Sequence, residues 1–215
     1  YEQAMVFYHR ALAKVMVFYQ RALAKINRLD NQEQFLEVII DLHVNVADLY
    51  EGMDDISNAI THLQEAISLA KNFHGLCKDT VSTYLNRLGL LYYKSYNYES
   101  ALSCFFECLD IRTQAISKGT KTQITSVLYN IATVYRATGN TDCTLQVLFK
   151  VLSYERQLIC EGCDEIQLKD HILTLRSIFE VYADQSVATP GKGMKYLLEA
   201  MRMCRLHKDS IDASL

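Results

Sequence analysis

Proline and glycine are scarce in this sequence, which contains one proline and eight glycines among 215 residues. A sandwich or barrel of many short strands needs far more of these turn residues. Their scarcity therefore argues against an all-β fold and favours a fold built from helices.

The sequence also lacks long apolar runs, since none reaches the roughly 18 residues that a membrane-spanning helix requires. It does not open with the charged start, apolar core and small-residue cleavage site of a secretory signal. We therefore expect no insertion into a membrane and an intracellular, cytoplasmic location.

No excess of positive charge is present, because the net charge is −3 and the isoelectric point is near 6.1. Such a chain has no broad positive field to attract a phosphate backbone. We expect no nucleic acid among its partners. Half of the residues are hydrophobic and 22% are charged, which is typical of an ordinary folded protein.

The cysteine pattern does not indicate a disulfide framework. The seven cysteines are an odd number and lie mostly within apolar helical patterns, whereas secreted disulfide-rich domains are shorter and denser in cysteine. We expect a reducing compartment, with Cys104 and Cys108 as small apolar core residues. Cys160 and Cys163 form a C-x-x-C, but structural zinc needs four ligands and no second pair is present.

What the sequence does contain is an internal repeat, marked by a tyrosine at Tyr50, Tyr92, Tyr135 and Tyr182. The intervals are 42, 43 and 47 residues. Three positions earlier the residue is small in the first three units and aromatic in the fourth: Ala47, Gly89, Ala132 and Phe179. Nine positions after the tyrosine a second small residue recurs, with threonine in the third unit: Ala59, Ala101 and Thr144.

This repeat indicates one antiparallel pair of helices per unit, whose small residues let the two helices approach closely. Residues between the helices are expected to form left-handed caps or tight connections: Gly52, Asn97 and Gly139 with Asn140. We predict first helices near 32–51, 78–94, 121–137 and 165–184. We predict second helices near 1–27, 55–74, 97–117, 141–159 and 190–207, the last with Pro190 as its first residue.

The stretch Leu85 to Cys108, LNRLGLLYYKSYNYESALSCFFEC, resembles the tetratricopeptide repeat family, with its Leu-Gly-x-x-Tyr, Ala and Phe pattern. Units of 42 to 43 residues look like the lengthened repeats of kinesin light chains. The resemblance implies an all-α fold: an α-solenoid of antiparallel helix pairs wound into a right-handed superhelix. Phe179 and the longer turn ADQSVATPGKG depart from the pattern and make the fourth unit's helix packing harder to predict.

The predicted organisation is an N-terminal helix at 1–29, a solenoid at 30–207 and a tail at 208–215. The solenoid is divided into about four repeats: 30–75, 78–118, 120–160 and 164–207. In the N-terminal helix, MVFYHRALAK at 5–14 returns as MVFYQRALAK at 16–25, eleven residues or about three helical turns later. It is interpreted either as a long partner-binding helix or as the second helix of an incomplete repeat.

No motif for catalysis, a metal or a cofactor is recognised, and we predict none of the three. Gly191 to Gly193 lack the spacing and the following Ser or Thr of a phosphate-binding loop, so we expect a turn there. Asp54 and Asp55 precede a predicted helix and are expected to act as caps rather than as paired catalytic acids.

Residues that bind a partner are predicted on the first helices, beside the repeated aliphatic and tyrosine positions. They are Asn45, Asn86, Arg87, Tyr93, Lys94, Tyr129, Asn130 and Arg136. Asparagine amides both donate and accept, so they can hold the backbone of an extended peptide, and the resemblance implies such a role for asparagines at these places. The alternative interpretation is a solvated surface. A clamp for a terminal carboxylate is less favoured, because Asp48 and Glu51 interrupt the basic residues.

These features predict a non-enzymatic scaffold that binds a peptide or helical segment of a partner protein in its concave groove. Two alternatives stay open. The chain is then either a permanent architectural subunit of a larger multiprotein assembly, or the regulatory repeat region of a longer enzyme or signalling protein.

Overall fold

The computed structural model describes residues 14–15, 17–22, 24–25, 35–72, 77–114, 118–160, 162, 165–184 and 190–206. Throughout these residues the chain forms helices and turns and no strand. The helices are α1 Leu36–Gly52, α2 Ile56–Asn72, α3 Lys78–Lys94, α4 Tyr98–Thr113, α5 Lys118–Ala137, α6 Thr141–Cys160, α7 Glu165–Asp184 and α8 Pro190–Leu206. We call α1, α3, α5 and α7 the first helices and the other four the second helices.

Three of the helix pairs are joined by the same turn. The carbonyl oxygens of Tyr50, Tyr92 and Tyr135 each accept a hydrogen bond of 2.9 Å from the backbone N–H five residues later. The recurring tyrosines therefore stand at equivalent places in the structure, just before the chain reverses. This confirms the interpretation of the repeat as pairs of helices, and with it the all-α helical-repeat fold class.

The residues that form these turns differ in part from the prediction. The left-handed positions are Asp54 (φ 61°), Tyr96 (φ 61°) and Gly139 (φ 73°), so Gly139 is the one predicted residue that is left-handed. Asn97 and Asn140 lie in the tight connections, as predicted, and their N–H groups close the turns. Gly52 is the last residue of α1 instead. Because the turn needs its left-handed residue four places after the tyrosine, Gly52 comes too early in the chain to supply it.

Each of the three second helices after such a turn begins with a side-chain cap. Asp55 Oδ1 accepts a hydrogen bond of 3.2 Å from the N–H of Asn58, and Asn97 Oδ1 accepts one of 3.2 Å from the N–H of Ser100. Asn140 Oδ1 accepts from the third N–H along in the same way, at 3.1 Å. These caps satisfy N–H groups that have no partner within the helix. Asp55 is thus a cap, as predicted.

The repeated small residues lie in the core, as predicted. Ala47, Ala59 and Ala101 are fully buried, and a Cβ built on Gly89 would fall 2.6 Å from Cε1 of Phe105. Thr144 takes the same place in α6 by donating its hydroxyl to the carbonyl of Asn140 at 2.8 Å. Its polar group is therefore satisfied inside the helix.

The last pair reverses the arrangement of small and large side chains. Gly193 in α8 faces Phe179 and Tyr182 in α7, and an added Cβ would lie 2.9 Å from Cβ of Tyr182. The prediction of a turn at Gly191 to Gly193 was wrong, because these residues belong to the first turns of α8. Glycine is needed there for close packing, while Pro190 begins the helix as predicted.

The chain divides into two compact units, residues 1–111 and 112–215. In unit 1, Ile39 and Val46 of α1 form a buried cluster against which Tyr19, Tyr50 and Leu69 pack. In unit 2 the core joins side chains of all four helices α5 to α8: Ala132, Leu145, Leu148, Leu152, Leu175, Ile178, Val181 and Ala200. The predicted boundaries of the four repeats and the superhelical hand stay predictions.

Helical residues near the beginning of the chain contact α1. Gln20 donates its side-chain N–H to the hydroxyl oxygen of Tyr50 at 3.0 Å, and Gln64 of α2 donates to that of Tyr92 at 2.7 Å. The two contacts are equivalent. Gln20 therefore occupies, relative to α1, the place that Gln64 of a second helix occupies relative to the first helix that follows it. The earlier copy of the near-duplicate, at 5–14, lies outside the described residues except for Lys14.

Candidate partner-binding site

The predicted partner-binding residues all lie on first helices, but the structure places them in two units. Asn45 is on α1, and Asn86, Arg87, Tyr93 and Lys94 are on α3, so these belong to unit 1. Unit 2 holds the remaining ones on α5: Tyr129, Asn130 and Arg136. We describe the two groups separately.

In unit 1 the basic residues form ion pairs between neighbouring first helices. Arg87 pairs with Asp48 and, at 3.3 Å, with Glu51, and Lys94 Nζ lies 2.5 Å from Glu51 Oε1. Burial lowers the pKa of the Arg87 guanidinium from its ordinary value. Because these cations are already matched by carboxylates of α1, they are poorly suited to clamp the carboxylate of a partner.

The other predicted residues of unit 1 form a partly aromatic surface. The ring of Tyr93 lies 5.9 Å from that of Tyr98, which in turn meets the exposed ring of Tyr96 edge-on. Asn45 is exposed and Asn86 is half-buried. This surface offers aromatic and polar contact area to a partner.

A groove elsewhere in unit 1 lies between α2, α3 and α4, with Cys104 at its base. Lys71 and Glu107 form an ion pair of 2.6 Å at its edge. Burial, with a contribution from Glu107, raises the pKa of the Cys104 thiol to about 11. The thiol is therefore protonated at neutral pH and is a poor nucleophile. The burial of Cys104 and Cys108 confirms that both are core residues.

In unit 2 a cavity of about 360 Å³ lies between the first helices α5 and α7. Tyr129 and Asn130, both predicted, are in its wall. The lining consists of Thr122, Thr125, Ser126, Tyr129 and Asn130 of α5, Val151 and Glu155 of α6, and Asp170, Leu173 and Thr174 of α7. Hydroxyl, amide and carboxylate groups thus converge on one partly open cavity whose wall includes two predicted residues.

A buried charged group in the wall of this cavity is the carboxylate of Glu155, which the second helix α6 supplies. The residue is 6% exposed. Its Oε1 accepts the hydroxyl of Thr174 at 2.8 Å, and its Oε2 accepts Nδ1–H of His171 at 3.0 Å. Both donors come from α7 and are themselves buried. The carboxylate is therefore held in one orientation from two sides.

Sequence reasoning missed Glu155, although the sequence contains a signal for it. Leu148, Val151, Leu152 and Leu158 form the apolar stripe of α6, and Glu155 stands on the same stripe at a core spacing. A charged residue on a core stripe is rare unless it is paired. Such a break in an apolar stripe marks a buried polar site. It was missed because the predicted groove positions all lie on first helices, whereas Glu155 lies on a second helix.

The third predicted residue of unit 2 lies farther along the same two helices. Arg136 Nη1 is 3.6 Å from Glu180 Oε2, and Glu180 also accepts a hydrogen bond of 2.8 Å from Arg176. Tyr129 meets Ser177 by a hydroxyl–hydroxyl bond of 3.0 Å. These contacts join α5 to α7, and Arg136 is not among the residues that line the cavity.

Within the described ranges, metal-ligand clusters and membrane-spanning helices are both absent. No group of three or more His, Cys, Asp or Glu side chains there is arranged to hold a metal ion. Among the same residues, no helix combines the length and the apolar character needed to cross a membrane. Cys160 is exposed at the end of α6, while Cys163, the other half of the C-x-x-C, lies outside the described residues.

Comparison with known protein families gives a match over part of the chain. Residues 38–114 match the family model described as tetratricopeptide repeat. This segment spans α1 to α4 and contains the stretch Leu85 to Cys108. No curated protein sequence matches this chain significantly.

Several solved structures share the fold at low sequence identity. BtubC from P. vanneervenii is 18% identical, with a TM-score of 0.72 over 92% of this chain and 75% of that one. The putative kinesin light chain repeats of Podosopora anserina are 10% identical, with a TM-score of 0.71 over 96% and 94%. The Rap conjugation regulator of plasmid pLS20, solved with the Phr* peptide, is 16% identical, with a TM-score of 0.54 over 94% and 51%.

Proposed function

We propose that this chain is a tetratricopeptide repeat protein that acts as a protein-interaction scaffold without catalytic activity of its own; the match of residues 38–114 to that family's model supports the proposal. It binds a peptide or a helical segment of a partner protein in the groove between the first helices α5 and α7. The observation that carries the proposal is the cavity between these helices, to which Tyr129 and Asn130 contribute.

The chemistry of the cavity supports a polypeptide ligand. An extended segment presents backbone N–H and C=O groups that must find partners when it leaves water. The hydroxyls of Thr122 and Ser126 and the amide of Asn130 can each both donate and accept, so they can serve either kind of backbone group. Apolar contact comes from Leu173, whose side chain is half exposed in the groove.

The comparisons give independent support of a limited kind. The Rap regulator of pLS20 was solved in complex with a peptide, and its fold is shared by this chain. A fold of this type is thus compatible with peptide binding, while the sequence identity is too low to carry over any contact. Asn45, Asn86, Arg87, Tyr93 and Lys94 of unit 1 stay a prediction, with Arg87 and Lys94 the weakest because of their ion pairs.

The proposed compartment is the cytoplasm. The cysteines within the described residues are free thiols, including the buried Cys104 and Cys108. Free buried thiols are usual where the environment is reducing. Nucleic acid and membrane lipid are not among the proposed partners, for the reasons of charge and hydropathy given above.

The test is a selection for binding peptides on the full chain, followed by affinity measurement on two matched variants. In Ser126→Ala/Asn130→Ala the cavity loses two hydrogen-bonding groups, whereas Lys150→Ala/Ser153→Ala changes exposed residues of α6 outside the cavity lining. Selected peptides should bind the cavity variant about tenfold more weakly, since two hydrogen bonds are lost. The α6 variant should bind them unchanged. Equal binding to both variants would remove the groove from the proposal.

A second candidate is supported by the surface of α8. Met194, Leu198 and Met201 recur at helical spacing and are 44%, 58% and 44% exposed. An apolar stripe of this kind favours a permanent neighbour and hence the architectural alternative. Sedimentation velocity separates the two candidates: a monodisperse chain that binds peptides supports the scaffold, and a chain that aggregates unless Leu198→Glu is introduced supports the subunit.

A further inference from the structure

We propose that the cavity of unit 2 receives the positively charged side chain of a lysine or arginine from the bound segment, with the carboxylate of Glu155 as its counter-charge. The inference rests on the proposed function, because it names the side chain that the groove between α5 and α7 selects. Its evidence is the charge, the polarity and the size of the cavity.

The charges of the lining are of one sign. Glu155 and Asp170 contribute carboxylates, and no lysine or arginine is among the described residues that line the cavity. Asp170 is exposed and makes an interaction of its own, so the inference rests on Glu155. A neutral imidazole has one N–H to donate, so the bond from His171 to Glu155 requires no positive charge on His171. The two bonds hold the carboxylate in place.

The carboxylate of Glu155 also has capacity for a further donor. A carboxylate offers about four lone-pair sites, and the bonds from Thr174 and His171 occupy two of them. A carboxylate that is 6% exposed is costly to bury without a counter-ion, and its neighbour His171 is one only when protonated. An ammonium or guanidinium group placed in the cavity would supply that counter-ion together with new hydrogen bonds, whereas an apolar or acidic side chain would supply neither.

The shape and the walls of the cavity fit a long amphipathic side chain. Its volume of about 360 Å³ equals about a dozen water molecules at ~30 Å³ each, which leaves room for one such side chain. Val151 and Leu173 provide apolar wall on which a methylene stem can lie, as the stems of lysine and arginine commonly do. The hydroxyls of Thr125 and Ser126 are additional acceptors for the charged head.

The experiment uses phage libraries of short random peptides that differ only in a central residue, fixed as lysine, leucine or glutamate. All three are selected on the full chain, and recovered peptides are measured by fluorescence anisotropy. We expect enrichment from the lysine library. The same peptides carrying acetyl-lysine, which has lost the charge, should bind the unchanged chain at least tenfold more weakly.

The variant Glu155→Gln provides the reciprocal test. It should lose the preference for lysine over acetyl-lysine, while Lys150→Ala keeps it. If this buried substitution prevents folding, the comparison of lysine with acetyl-lysine on the unchanged chain still decides the question.

The possible failures are distinguishable. Equal enrichment of the three libraries, with binding still lost in Ser126→Ala/Asn130→Ala, would overturn the cationic side chain and leave the proposed function standing. No enrichment from any library would overturn both.

Discussion

Gly89 of α3 and Phe105 of α4 pack so closely that the aromatic ring lies against the backbone of the facing helix. A Cβ on Gly89 would fall 2.6, 2.8 and 2.9 Å from three atoms of the ring, and Phe105 is fully buried. Real Cβ atoms essentially never approach other heavy atoms this closely. The ring can therefore fill the space between the two helices only because residue 89 is glycine.

The first prediction concerns this contact. Gly89→Ala should lower the free energy of unfolding by about 1–2 kcal/mol, because the cost of overpacking exceeds the gain in helix propensity of at most about 1 kcal/mol. Adding Phe105→Leu should make the alanine less costly, since the smaller side chain can move aside. Urea unfolding followed by circular dichroism measures both effects. Additive effects of the two substitutions would contradict the contact.

The glycines of α8 provide a matched control for the same prediction. Gly193 would place its Cβ 2.9 Å from Tyr182, while Gly191 has nothing within 4 Å. We expect Gly193→Ala to destabilise the chain and Gly191→Ala to be neutral or slightly stabilising. If the two substitutions act alike, close packing is not the reason for glycine at either place.

The pairing of a small with a large residue could be predicted from the sequence, but the helix that carries the small residue could not. Phe179 seemed to break the pattern because the first three units have their small residue at that place in the first helix. In the structure Gly193 of the facing helix supplies the missing space. The requirement is that the two facing side chains together fit the gap, so either helix can satisfy it.

The candidate site was likewise predictable only in part. Tyr129 and Asn130 were predicted because a repeat fixes which face of a first helix is shared by successive units. Glu155 was missed because it reaches the cavity from a second helix. Asp48 and Glu51 were recognised only as acidic residues that interrupt the basic ones. One repeat length separates Glu51 from Lys94, which places the two on neighbouring first helices. Pairing depends on side-chain geometry, which spacing alone does not give.

The second prediction is a loss of stability in unit 1 on acidification, caused by His43 and His62. Their Nδ1 atoms lie 3.1 Å apart, and the ring of His62 stacks on Tyr50. Burial lowers the pKa of both imidazoles, and the charge of His62 lowers the pKa of His43 further, while Glu65 opposes the shift. The close contact needs one nitrogen as donor and the other as acceptor, so two protonated rings cannot keep it.

The sign follows from the direction of these shifts. An unfolded histidine has a pKa near 6.5, so below about that pH the unfolded chain binds more protons than the folded one. The contribution of the neutral histidine pair to stability is fully present above about pH 6.5. It is lost as the pH falls through the lower pKa values that the two histidines have in the folded chain. Urea unfolding at about pH 7.5 and about pH 5.5 should show a smaller drop for His43→Gln than for the unchanged chain. An identical drop would exclude the pair as the source.

The third prediction uses the three equivalent turns, whose left-handed position is held by aspartate, tyrosine and glycine. A bulky residue with positive φ is strained by roughly 1 kcal/mol, whereas aspartate tolerates this region better and glycine carries no strain. Tyr96→Gly should therefore stabilise the chain by up to about 1 kcal/mol, and Asp54→Gly should change the stability by less than about 0.5 kcal/mol. Tyr96 is 79% exposed, so little packing is lost with its ring.

The converse change at the third turn isolates the backbone effect, since Gly139 has φ 73° and nothing within 4 Å of an added Cβ. Gly139→Ala should cost about 1 kcal/mol through conformation alone, because no side-chain contact opposes the methyl group. Thermal or urea unfolding of the three single variants gives the order directly. If Gly139→Ala were as stable as the unchanged chain, or Tyr96→Gly less stable, the left-handed conformation at these turns would not be a source of strain.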